Sequence, residues 1–304
     1  KTEIEPRIER LEKKRNKSYQ DILNELVGLE EIKEYVNSFA KFLKIEKKRK
    51  ENNLPVNKIG LHMVFKGPPG TGKTTIARVF GKIYKQLGYL KKGHVIEVDR
   101  ESLVGAYIGK TEEKTKKVLK SALDGVLFID EAYSLNSKGE NDFGKIAIDT
   151  ILKFMEDNRD RIVVIAAGYN KNMDDFIKSN PGLKSRFNES INFKPYSYKE
   201  LTQIFDTLCN KQKIIYPIKT QKKLNKLFKK MIKKYDPNNF GNAREVRNLF
   251  ESVLIEQSSR LDLDNIDIDK INSFEEKDIL NCSLKKYRIN IKTNLIDYVV
   301  TNLF

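Results

Sequence analysis

Gly67-Pro68-Pro69-Gly70-Thr71-Gly72-Lys73-Thr74 decides how this chain is read. The stretch fits G-x-x-x-x-G-K-[ST]. It follows the apolar run Leu61 to Phe65 and precedes an amphipathic pattern over Thr74–Leu87 that predicts a helix. In this strand–loop–helix setting such a loop cradles phosphates. The glycines let backbone N–H groups turn toward phosphate oxygens, and the helix adds its positive N-terminal end. Lys73 is placed to reach the outer phosphates of a nucleoside triphosphate, and the Thr74 hydroxyl to ligate Mg²⁺, with Thr75 beside them. A chance Gly-rich turn is the alternative, and the flanking strand and helix argue against it.

Outward from this loop, short β-branched or aromatic runs alternate with helical patterns. Leu61–Phe65, Val95–Val98, Val126–Ile129, Ile162–Ala166 and Ile191–Phe193 read as buried strands. Ile76, Val79, Phe80, Ile83 and Leu87 fall at helical spacing, and Gly88 ends that helix. This alternation predicts an α/β fold with a five-stranded parallel sheet flanked by helices. Residues 1–20 read as a basic N-terminal arm and 21–195 as the α/β domain. After Pro195 the pattern becomes helical, opening on a capping box at Ser197-Tyr198-Lys199-Glu200, so 196–280 form a small helical domain. Residues 281–304 are a C-terminal extension, either a strand–helix pair or a docking tail.

A second element bears on chemistry. Val126-Leu127-Phe128-Ile129-Asp130-Glu131 is a buried strand with two carboxylates at its C-terminal end, where ligands bind in open α/β sheets. Asp130 is expected to hold Mg²⁺ through its water shell, and Glu131 to orient and deprotonate an attacking water. Arg186, in the predicted loop Asn180–Phe187, either reaches a neighbouring subunit's γ-phosphate or pairs locally. Gly241-Asn242-Ala243-Arg244 opens a helix of the second domain, from which Arg244 could report on the nucleotide. Tyr107-Ile108-Gly109, read as a loop after the second strand, suits apolar grip on an extended polypeptide; the competing reading packs Tyr107 into the core.

Composition sets the remaining bounds. The 304 residues are 39% hydrophobic, enough for an α/β core plus a helical unit. No apolar stretch approaches bilayer-spanning length, and no secretory signal is visible. Lys1 rather than Met opens the sequence, which leaves room for a segment upstream. Cys209 and Cys282 are isolated, and with His62 and His94 they cannot assemble a zinc cluster, so a reducing, cytoplasmic setting is expected. The net charge of +16 suggests a nucleic-acid partner or an acidic protein surface. The excess is mostly Lys in a chain rich in Ile and Asn, which favours solvated basic faces such as Gln221–Tyr235.

Taken in order, these elements resemble an AAA+ ATPase module of the CbbX/CfxQ group, which includes proteins like stage V sporulation protein K. The resemblance runs from about Val27 to Phe274. It is carried by Leu61–Phe65 before the loop, Leu103–Thr111, Gly125–Tyr133, Ala167-Gly168-Tyr169, Asn180–Arg186 and Gly241–Asn248. It implies a P-loop NTPase with a helical lid that binds ATP and Mg²⁺ between the two domains near Val27-Gly28-Leu29. It further implies a ring, a hexamer, that remodels a protein client by pulling with pore-loop Tyr107. Arg186 would complete the neighbour's site in trans, and Arg244 would be the second sensor. Many members carry a polar sensor after the fourth strand; here that strand ends Ala166-Ala167-Gly168-Tyr169-Asn170, and Asn170 stands one residue late. His62 either restrains Glu131 or simply packs. A nucleic-acid-stimulated ATPase and an ATP-dependent switch are the alternatives; the aromatic pore loop argues against the first and the intact Asp130–Glu131 pair against the second.

Overall fold

The computed structural model describes residues 17–56, 60–136, 143–236, 240–262 and 268–286, the side chains of 283–286 excepted. Most of the expected N-terminal arm and most of the C-terminal extension lie outside these residues. The chain divides into two compact units, the second beginning at Tyr196.

The first unit runs α1 (Tyr19–Asn24), α2 (Glu30–Glu51), β1 (Met63–Lys66), α3 (Lys73–Gln86), β2 (Val95–Val98), α4 (Arg100–Leu103), α5 (Ile108–Ser121) and β3 (Gly125–Ile129). A 3₁₀ turn (Ala132–Asn136) follows, then α6 (Gly144–Asp157), β4 (Ile162–Gly168), α7 (Asn170–Lys178), α8 (Pro181–Arg186) and β5 (Glu189–Asn192). The five strands form one sheet in the order β2-β3-β4-β1-β5, and every pairing is parallel.

Strand side chains alternate between two apolar layers. Met63, Phe65, Val126, Phe128, Val163 and Ile165 join the layer built with α2 and α3. Val64, Leu127, Ile129, Val164 and Ala166 join the layer built with α5, α6 and α7. Both faces are therefore covered, which is why the strands read as continuous apolar runs rather than alternating ones. All seven residues of β4 are buried, as the central strand requires. The first layer is strongly aromatic: Phe65 and Phe193 have centroids 5.2 Å apart, and Phe39 meets Phe80 edge-on at 5.7 Å. Burying one such ring stabilises the fold by about 1.5–3 kcal/mol.

Beyond shifts of one or two residues at element ends, candidate residues at three places sit in elements other than those expected. Arg186 is the last residue of the short helix α8, not part of a loop. Asn180 caps that helix, its Oδ1 accepting the Gly182 N–H at 2.7 Å, and Pro181 takes the first helical position, where a missing N–H costs nothing. Asn-Pro-Gly reads as a turn, but here it starts a helix. Likewise Ile108 and Gly109 are the opening residues of α5, with only Tyr107 outside as its N-cap. Asn170 opens α7 on the exposed surface rather than ending β4.

The second unit contains α9 (Tyr198–Gln212), α10 (Ile218–Lys234), α11 (Ala243–Arg260), α12 (Ile268–Ile271) and α13 (Glu276–Lys286). The Ser197–Glu200 capping box is formed, with the Ser197 N–H on Glu200 Oε2 at 2.7 Å and the Glu200 N–H on Ser197 Oγ at 3.3 Å. Phe205, Phe250 and Phe274 centre its core, with Leu224, Phe228 and Leu249 also buried. Cys209 and Cys282 are buried thiols outside any disulfide, and burial, with Asp206 nearby, pushes the Cys209 thiol up to about 12. Among the described residues no helix is long and apolar enough to cross a membrane.

Candidate active site

The phosphate loop sits between the C-terminal end of β1 and the start of α3. Its geometry depends on glycine at two places. Gly67 has φ 147°, and a Cβ there would lie 2.3 Å from the Phe193 carbonyl oxygen. Gly72, the N-cap of α3, has φ 95°. The Gly67 N–H donates to the Gly168 carbonyl at 3.0 Å, and the Phe193 N–H to the Lys66 carbonyl at 2.6 Å, so β4 and β5 pin the loop's entry. Thr71 is fully buried and donates to the Pro68 carbonyl at 2.8 Å, closing the turn. The loop thus leads directly into the N-terminal end of α3, whose positive dipole end favours an anion. The Lys73 ammonium lies within the turn, donating to the carbonyls of Gly67 and Pro68 at 2.8 and 2.7 Å.

Two strands away, across β4, Asp130 and Glu131 follow the end of β3 at the same end of the sheet. The Asp130 N–H is tied to the Val98 carbonyl at 2.8 Å, and Asp130 Oδ1 accepts the Glu131 N–H at 3.1 Å. Glu131 has φ 47°, a left-handed conformation that non-glycine residues seldom take. Its carbonyl accepts the Ser134 N–H at 2.8 Å, which starts the 3₁₀ turn. Tyr133 lies in that turn, and burial foremost, then the charge of the nearby Glu131, pushes its phenol up to about 12.

A nucleotide with Mg²⁺ fits this donor set. The loop supplies backbone N–H groups and one ammonium, and Thr74 and Asp130 offer hard oxygen ligands. Among the described residues no three His, Cys, Asp or Glu side chains converge on a metal position. Mg²⁺ does not need such a cage, because it keeps waters and borrows phosphate oxygens. Sequence reasoning missed Glu97 on β2, which accepts the Thr74 hydroxyl at 3.1 Å and pairs with Arg78 at 3.4 Å. A single acid in a short strand carries no signal of that contact.

The structure does not bring every expected site residue together. Arg186 and His62 lie at the N-terminal ends of the strands, away from the loop and from Glu131. The Arg186 guanidinium pairs with Glu156 at 3.0 Å and donates to the Gly182 carbonyl at 3.4 Å. His62 is buried, accepts the Val164 N–H on Nδ1 at 3.0 Å and packs beside Phe187. Burial foremost, then the Arg186 charge, lowers its pKa to about 4. His62 is thus a neutral packed group with the length of the sheet between it and Glu131, and the restraint reading is withdrawn.

Val27, Gly28 and Leu29 form the half-exposed link between α1 and α2, with Gly28 and Leu29 at φ 61° and 60°. Tyr107 and Ile108 are 62% and 56% exposed, which overturns the core-packing alternative for Tyr107. They are presented by Thr111 beneath them, whose buried hydroxyl donates to the Tyr107 carbonyl at 3.1 Å and accepts the Gly105 N–H at 3.0 Å. In the second unit Arg244 is exposed in the first turn of α11. The N-cap there, Asn242, is buried at φ 48°, its side chain accepting the Tyr196 N–H at 3.0 Å and donating to the Phe240 carbonyl at 2.8 Å.

Comparison with known proteins identifies the family. Residues 63–195 match the family model described as ATPase family associated with various cellular activities (AAA), and 197–287 match the AAA lid domain. The chain belongs to the AAA family of ATPases, and it is a nucleotide-binding enzyme that hydrolyses ATP. Within the family it is 43% identical over 245 residues to stage V sporulation protein K of Bacillus subtilis (strain 168), covering 81% of this chain and 76% of that protein. It is 43% identical over 243 residues to the chloroplastic ribulose bisphosphate carboxylase/oxygenase activase of Cyanidioschyzon merolae, covering 79% and 82%. It is 46% identical over 251 residues to the ESX-3 secretion system protein EccA3 of Mycolicibacterium smegmatis, but spans 41% of that longer protein. The AAA domain of FIGL-1 in complex with ADP shares the fold, with a TM-score of 0.60 at 19% identity over 94% of this chain and 88% of that one.

Proposed function

We propose that this ATPase works as a ring, a hexamer, in which each nucleotide is completed by a neighbour's Arg186 and turnover pulls a protein client through contacts at Tyr107 and Ile108. The observation that carries the ring is the position of Arg186. Glu189 at the start of β5 pairs with Met63 at the start of β1, whereas the phosphate loop follows the end of β1. At about 3.3 Å per residue, the four-residue strand alone puts Arg186 at least ~13 Å from its own loop. A guanidinium so placed serves a γ-phosphate only in another subunit, where such a group is worth about 10³–10⁵ in rate.

Within one subunit Lys73 and the loop N–H groups bind the phosphates, and Thr74 and Asp130 hold Mg²⁺. The bound metal would offset charge on the transferring phosphoryl group. Glu131 accepts a proton from the attacking water and orients it. Arg244 carries nucleotide state to the lid. For a sensor after β4, Asn170 is the polar candidate near the strand end, on an exposed helix start. Exposed apolar side chains at Tyr107 and Ile108 favour a polypeptide client gripped without sequence readout. The named relatives concern sporulation, secretion and a carboxylase, so the client differs among them and none is assigned to this chain.

The test mixes two variants. Arg186→Ala subunits retain Glu131, and Glu131→Gln subunits retain Arg186. Each alone is expected to be inactive, and a mixture to regain ATPase activity as concentration rises. Full activity of Arg186→Ala alone, independent of concentration, would end the shared-site reading. A second reading, stimulation by nucleic acid, is favoured by α10, which carries eight lysines and no acidic residue. It requires that single-stranded DNA raise the turnover, with steep loss of the effect in salt.

A further inference from the structure

We infer that Glu97 positions the Thr74 hydroxyl as a ligand for Mg²⁺, acting from β2, a strand the phosphate-loop motif does not reach. The inference rests on the reading of Thr74 as a Mg²⁺ ligand.

The fold sets the juxtaposition. Glu97 lies on the edge strand β2, 23 residues beyond Thr74 in the chain. Its Oε1 accepts the Thr74 hydroxyl at 3.1 Å. Its Oε2 accepts from the Arg78 guanidinium at 3.4 Å, and Arg78 stands one turn after Thr74 on α3. One face of α3 therefore holds both oxygens of the carboxylate. The next residue of β2, Val98, pairs with Ile129, and its carbonyl accepts the Asp130 N–H at 2.8 Å. Two consecutive residues of β2 thus tie down Thr74 by its side chain and Asp130 by its backbone. Thr74 also departs from the habit of helical threonines in this chain. Thr111, Thr150, Thr202 and Thr207 each donate to the carbonyl four residues back, at 3.1, 2.7, 3.0 and 2.8 Å. Thr74 instead reaches across to another element.

The chemistry follows from what a hydroxyl needs as a ligand. It carries one proton and two lone pairs, so to offer its oxygen to a cation it must send the proton elsewhere. A free hydroxyl rotates, and a back-bonded one turns toward its own helix. Donation to Glu97 fixes the rotor and leaves the lone pairs of Oγ1 for the metal. The bond to a carboxylate is charge-assisted, and an outer partner of this kind orients a ligand and raises its basicity. Losing such a partner typically lowers metal affinity or activity by about 10- to 100-fold. As a surface ion pair with Arg78 alone, Glu97 would contribute little. Glu97 touches neither phosphate nor metal in this scheme. It acts through Thr74 and is a positioning residue.

The test is Glu97→Ala in the full chain. The Mg²⁺ concentration giving half-maximal ATPase activity is expected to rise about 10- to 100-fold, with kcat at saturating Mg²⁺ within about twofold of wild type. Mn²⁺ titrated into the ADP-bound protein, with free metal followed by electron paramagnetic resonance, should bind more weakly by the same factor, without turnover. Affinity for a fluorescent ADP analogue in EDTA and the melting temperature should stay at wild-type values. In a Thr74→Ala background Glu97→Ala should add nothing, because its effect passes through the hydroxyl. An unchanged metal requirement in Glu97→Ala overturns the inference, as does a full additional effect in the double variant. A lower requirement would make Glu97 a restraint on Thr74, and a loss of ADP affinity in EDTA would make it structural; either also overturns it. If Thr74→Ala raises the metal requirement and Glu97→Ala does not, the reading of Thr74 stands and the positioning role is wrong. If Thr74→Ala itself keeps the wild-type requirement, both fail together.

Discussion

Glu131 stands at φ 47° although it has a full side chain, a conformation that costs about 1–2 kcal/mol. The strain is held by the Asp130 carboxylate on its N–H and by the Ser134 N–H on its carbonyl. Strain kept at a site is a motive for assigning function there. Replacing Glu131 by Gln preserves shape and leaves nucleotide affinity unchanged, but should lower kcat by about 10²–10⁴, the usual worth of a general base. Steady-state turnover beside nucleotide titration separates the two effects. His62 makes a prediction through pH. Its folded pKa of about 4 lies below the ordinary 6.5, so between these values the unfolded chain binds more protons. Stability is then greatest above pH 6.5 and falls as pH drops toward 4. From pH 7 to 5 this one group should cost about 2 kcal/mol in urea unfolding, and His62→Asn, which can still accept the Val164 N–H, should flatten that slope.

At the level of elements, α8 shows how a short helix can aim one charge. Asn180 and Pro181 start it, the buried Leu183 anchors it, and Arg186 ends it beside Glu156. Asn180→Ala removes the cap and should cost about 0.5–2 kcal/mol in stability. On the ring reading its ATPase loss should exceed that of an equally destabilising core change, because the frayed end holds Arg186. Ile83→Val in α3 provides that comparison, with an expected cost of about 0.5–1.5 kcal/mol from a fully buried side chain. Thermal melts and turnover of both variants decide the point. The same elements show which signals the sequence carried. Strands and α3 were legible because their apolar periodicity is local. The start of α8 was misread because Asn-Pro-Gly favours a turn and a cap equally, and only the chain that follows chooses.

At the level of the whole molecule, Tyr107 and Arg186 belong to one compact unit and Arg244 to another, and each is exposed or half-exposed. That distribution suits groups that act on something other than their own fold. Tyr107→Ala should leave basal ATPase within about twofold, as surface changes usually do, while abolishing ATP-driven work on a client. Loss of both would mean that Tyr107 supports the site rather than the pull.

By itself the sequence determined the alternating α/β pattern, the Gly67–Thr74 loop and the Asp130–Glu131 pair, because each is a contiguous run whose chemistry depends on near neighbours. Tertiary structure decided what shares an end of the sheet. It set Arg186 and His62 at one end and the phosphate loop at the other, joined Thr74 to Glu97 and left Tyr107 in solvent. Those relations follow from strand register and close packing between segments far apart in the chain, and no local window of residues encodes them.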